Sequence, residues 1–141
     1  MNERETVFTP RGFLIVGGAV LALFGAVGFF VLNDPADSFL WLDPAENVAR
    51  IALGLIALTV VFVPGLNDLL APHLRSIVIL MGVTALFFAA YGLLLPGGSP
   101  AAPNTFGVAN LEMGDNLLNL LFAAWAFSAA FLGPQRVTMR G

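Results

Sequence analysis

Four apolar runs, each long enough to cross a bilayer as a helix and nearly free of charge, constrain this chain more than any other feature of its sequence. They extend over about Phe13 to Leu32, Ala45 to Val63, Leu74 to Leu95 and Asp115 to Leu132. A hydrocarbon core about 30 Å thick takes roughly 20 helical residues, and inside it every backbone N–H and C=O must be satisfied by the protein itself, which leaves helices or a closed barrel. Barrel strands would be shorter and would alternate with period two. These runs are instead solid Leu, Ala, Val, Phe and Gly. The reading is an all-α integral membrane protein, a four-transmembrane-helix bundle forming a single domain over residues 1–141. Charged residues make up only 11% of the chain, too few to clothe a water-soluble domain of this size. The net charge of −3 also gives no basic surface for nucleic acid.

The boundaries carry their own signals. Pro10 stands where proline suits a helix start. Asp43, Pro44 and Glu46 supply an N-cap, an N1 proline and a first-turn acid that favours the positive end of the helix dipole. Pro64-Gly65 is expected to end the second helix and to leave a linker from Leu66 to Pro72. Pro96-Gly97-Gly98 and Gly133-Pro134 end the third and fourth, and residues 96–109 form an exposed loop. Trp41 is an interfacial anchor, and His73, the one histidine, reads as interfacial rather than as a ligand. Small residues at Gly18, Ala22, Gly25 and Ala26, and again at Gly82, Ala85, Ala89 and Gly92, allow close helix approach. The first run is too long for a signal-peptide core and has no cleavage pattern behind it, so it is expected to be retained.

The chain also echoes itself. Asp43-Pro44-Ala45-Glu46-Asn47-Val48-Ala49-Arg50 returns as Glu112-Met113-Gly114-Asp115-Asn116-Leu117-Leu118-Asn119, and Ala22-Leu23-Phe24 returns as Ala85-Leu86-Phe87. Two copies of one helical hairpin, about 12–65 and about 73–134, account for this. Each copy crosses twice, so both enter the membrane from the same side as a parallel repeat. Arg4, Arg11, Arg75, Arg136 and Arg140 then share one face, which the distribution of basic residues makes cytoplasmic together with both termini. All six basic residues are Arg, the usage of a GC-rich bacterial genome, and the expected location is a bacterial cytoplasmic (inner) membrane.

Arg50 is the one basic residue on the opposite, acidic side. It lies about 10 Å below the start of its helix, where an unpaired charge is costly. The repeat predicts a structural polar cluster of Glu46, Asn47, Arg50, Asp115, Asn116 and Asn119 tying the hairpins together.

Phe106-Gly107-Val108, a short polar spacer and Asp115-Asn116-Leu117-Leu118-Asn119-Leu120, with Glu46-Asn47-Val48-Ala49-Arg50 in the earlier hairpin, resemble the bacterial four-helix membrane family catalogued as domain-of-unknown-function 4383. The likeness covers nearly all four helices. That family typically has a His three residues after each Asn, and here those positions are Arg50 and Asn119. If the His pair serves a metal or cofactor, the resemblance implies that this chain lacks it. No activity comes with the family.

Nothing in the residues assembles a catalytic set. There is no cysteine, and Asp43, Glu46 and Glu112 are accounted for as caps and first-turn acids, so no enzyme and no metal site are expected. A transporter would place a charge near the bilayer midplane, and the first and third helices carry none. Thirteen Phe and two Trp offer apolar surface to lipid, quinone, pigment or other membrane subunits. The expected function is a non-catalytic structural or accessory subunit of a larger membrane complex. The alternative is a free-standing bundle that binds a lipid, quinone or pigment, and a small transporter ranks below both. No cofactor is expected beyond such a bound lipid or apolar pigment.

Overall fold

The computed structural model describes residues 6–31, 40–95 and 112–133. Among them the structure is wholly helical: α1 (Pro10–Gly28), α2 (Pro44–Phe62), α3 (Pro64–Leu70), a single 3₁₀ turn (Ala71–His73), α4 (Leu74–Leu94) and α5 (Met113–Phe131). The loop expected at 96–109 and most of the connection before Leu42 lie outside the described residues.

Local chemistry places the helix starts. Thr9 caps α1 by accepting from the Gly12 N–H at 3.0 Å, with Pro10 in the first turn, a cap that the sequence reading did not single out. Asp43 caps α2 by accepting from the Glu46 N–H at 3.0 Å, ahead of Pro44. Glu112 occupies the cap position of α5 without a side-chain cap hydrogen bond. The stretch from Leu66 to Pro72, expected as a linker, is instead helical. Pro64 ends α2 because it cannot extend it, and its fixed φ then suits the first turn of α3.

Three segments are long and apolar enough to span a membrane: Pro10–Gly28, Pro44–Phe62 and the continuous helical stretch Pro64–Leu94. This marks the chain as a membrane protein. α5 has the length but not the apolarity, because Asp115, Asn116 and Asn119 fall in its first two turns.

α1 packs along α2 and α4 along α5, while contacts between the two pairs are sparse and run from α1 to α4 and α5. Within the first pair the backbones nearly touch. A Cβ on Gly54 would lie 2.5 Å from the Gly18 carbonyl oxygen and 2.6 Å from the Ala22 nitrogen. The second pair is spaced by side chains, since a Cβ on Gly82 would meet the Ala126 Cβ at 3.1 Å and the Phe127 ring.

The buried positions of the two pairs run in parallel. Leu14, Gly18, Gly25 and Gly28 of α1 correspond at one constant spacing to Val78, Gly82, Ala89 and Gly92 of α4. Glu46, Asn47, Gly54, Ala57, Val60 and Val61 of α2 correspond likewise to Asp115, Asn116, Ala123, Ala126, Ala129 and Ala130 of α5. The Ala22-Leu23-Phe24 echo is one residue out of this register.

The core lies at the end of the bundle where α1 and α4 begin. Phe13, Leu14, Ala57, Val60, Val61, Val78, Ala126, Ala129 and Ala130 form it. The Phe13 ring stands 5.0 Å from Phe122 and 4.8 Å from Trp125 in tilted and edge-on contacts. Two polar ties reinforce this end: the Trp125 indole donates to the Val7 carbonyl at 2.8 Å, and Arg11 donates to Asn67 at 2.7 Å.

Candidate functional site

The opposite end of the bundle, where α2 and α5 begin, is polar and buried. Asp43, Glu46, Asn47, Asp115 and Asn116 are all buried there, Asp115 completely. The Arg50 guanidinium links the two hairpins. One Nη donates to Glu46 at 3.1 Å within α2, the other donates to Asp115 of α5 at 2.9 Å, and the Phe24 ring lies 5.8 Å from the guanidinium carbon. α2 and α5 are not among the closely packed helix pairs, and at this end the Arg50 side chain reaches from one to the other.

The two asparagines are engaged within their own hairpins. Asn47 is fully buried and donates to the Leu42 carbonyl at 2.9 Å, and its amide lies so close to Gly28 that a Cβ there would overlap it. Asn116 lies against Gly92 in the same way. Each hairpin therefore closes its polar end with an Asn seated on a glycine, which explains why the last buried residue of both α1 and α4 is Gly. Asn119 is not part of this closure and faces the space between the hairpins.

Just outside α5, burial pushes the Glu112 carboxyl up to about 8, and the neighbouring Asp115 carboxyl adds to the shift. Glu112 Oε2 and Asp115 Oδ2 are both buried atoms without a hydrogen-bond partner among the described residues.

Between the hairpins lies a cavity of about 740 Å³, within the roughly 300–1,000 Å³ range of small-molecule sites. All four long helices line it: α1 through Leu21 and Phe24, α2 through Ala49 and Leu53, α4 through Leu80, Met81 and Phe88, α5 through Leu118 and Phe122. Its walls are almost wholly apolar, with polar groups from Glu46, Arg50, Thr84 and Asn119. The sequence reading missed this space. Its one available signal was that Thr84 and Asn119 are uncapped polar residues inside apolar runs.

Among the described residues no three His, Cys, Asp or Glu side chains converge as metal ligands. Comparison of the chain with models of protein families, with curated proteins and with solved structures finds no match to it.

Proposed function

We propose that this protein is a non-catalytic membrane bundle that holds the apolar chain of an amphiphilic membrane molecule between two helical hairpins. One observation carries the reading: the cavity lined by all four long helices, apolar along its walls and polar where Arg50 and Asn119 stand. Two hairpins joined at their ends and poorly packed between them leave such a space, and an apolar molecule from the bilayer fills it at no desolvation cost. α5 crosses the membrane in this reading, because its three polar side chains are sheltered at the polar end or turned toward the cavity. The parallel burial registers support two copies of one hairpin, and the grouping of arginines near one set of helix ends supports both termini on the cytoplasmic side of a bacterial inner membrane. Likeness to the four-helix family of unknown function rests on its short motifs and adds no activity.

The second reading, an accessory subunit within a larger membrane assembly, is favoured by the outer face of α4. Val83, Leu86, Phe87, Leu93 and Leu94 are all exposed there, an apolar face that partner helices or lipid would cover.

Native mass spectrometry after purification in mild detergent separates the two. The expected spectrum is a single chain carrying one small molecule, and Ala49→Trp, which fills the cavity from α2, removes that molecule while the variant stays folded. A bare chain, or a bound mass indifferent to Ala49→Trp, contradicts the cavity reading. A stable hetero-oligomer supports the second.

A further inference from the structure

Resting on the cavity reading, we infer that the occupant carries an uncharged, planar head with carbonyl acceptors, the chemistry of a membrane quinone, and not the anionic head of a fatty acid or phospholipid. The charge balance at the polar end points this way. The Arg50 guanidinium is already matched by Glu46 at 3.1 Å and Asp115 at 2.9 Å, with Asp43 buried beside them. An added anion would meet carboxyl groups in a low-dielectric setting where like charges repel strongly. Donors nevertheless remain. A guanidinium has five N–H groups, of which the two carboxyl contacts use two, and the Asn119 amide and Thr84 hydroxyl line the same cavity. Donors without a net positive charge fit a neutral carbonyl oxygen.

The shape of the walls supplies the second observation. Phe24, Phe88 and Phe122 come from three different helices and line one cavity, and Phe24 lies against the guanidinium. Aromatic faces favour offset or edge-on contact with another flat ring, so they fit a conjugated head better than the tetrahedral carbons of a glyceride. The apolar remainder of the cavity accommodates the start of an alkyl or isoprenoid tail.

The test compares three probes with the same ten-carbon chain, decylubiquinone, decanol and decanoate, on detergent-purified full-length protein by isothermal calorimetry. Decylubiquinone is expected to bind at least about tenfold more tightly than either of the others, the scale of one hydrogen bond to a charged donor. Asn119→Leu and Phe88→Leu are expected to weaken decylubiquinone by about tenfold and to leave decanol unchanged. Decanoate binding as well as the quinone, or all three binding equally, overturns the head assignment while leaving the cavity occupied. Failure of all three probes overturns the cavity reading itself.

Discussion

Arg50→Ala and Asp115→Ala are each expected to destabilise the folded protein in detergent by about 3–5 kcal/mol, and the double variant by much less than the sum. The size follows from burial. Asp115 is fully buried and the Arg50 side chain is 13% exposed, so removing Arg50 leaves the buried Asp115 carboxyl without its cation and removing Asp115 leaves the guanidinium with Glu46 alone. Hydrogen bonds between membrane helices usually contribute only about 0.6 kcal/mol, and an exposed Glu46–Arg50 pair at i, i+4 only a few tenths. The orphaned charge, not the lost bond, sets the expected cost. Thermal or denaturant unfolding of the four proteins in the cycle reads this directly. Additive losses under about 1 kcal/mol would mean that Arg50 extends to the interface and that the hairpins are not joined there.

The second large effect is expected at the crossing of α1 and α2. Gly54→Val should destabilise by about 3 kcal/mol, at or above the top of the usual 1–3 kcal/mol cost of overpacking, because the added Cβ meets the backbone of α1 at 2.5 and 2.6 Å and no rotamer relieves that contact. A gain of about 0.5–1 kcal/mol from replacing glycine within a helix applies mainly to Ala and is too small to offset the clash. Gly82→Val in the corresponding hairpin should cost less, since its nearest neighbours are the Ala126 methyl and the Phe127 ring. Gly65→Ala provides the opposite sign: nothing lies within 4 Å of that position, so only the helix gain remains. Equal costs at Gly54 and Gly82 would mean that the first hairpin is not held by backbone contact.

The contrast between what the residues announced and what they concealed follows from where each signal resides. Asp43, Pro44 and Glu46 place the start of α2 because capping is local chemistry, settled within four residues. The Arg50–Asp115 contact was legible for a different reason, since an isolated charge in an apolar helix needs a partner and the echoed motif supplied one at matching depth. The helical course from Pro64 to His73 was not legible. A Pro-Gly pair reads equally as a stop or as a new first turn, and packing of Leu66 and Leu70 on the core decides it. The seating of Asn47 on Gly28 and of Asn116 on Gly92 depends on how each pair of helices crosses, which periodicity does not encode. The cavity depends on how far the two hairpins splay, and that is set by contacts at both ends of the bundle.

The central claim, two hairpins that each cross the membrane twice from the same side, is tested most directly by single cysteines at Ser38, Asn67 and Ser99 in a chain that has no cysteine of its own. Intact cells treated with an impermeant thiol reagent are expected to show labelling at Ser38→Cys and Ser99→Cys and none at Asn67→Cys until the membrane is opened. Labelling of Asn67→Cys without Ser38→Cys would invert the orientation, and labelling of Ser38→Cys without Ser99→Cys would contradict the paired hairpins.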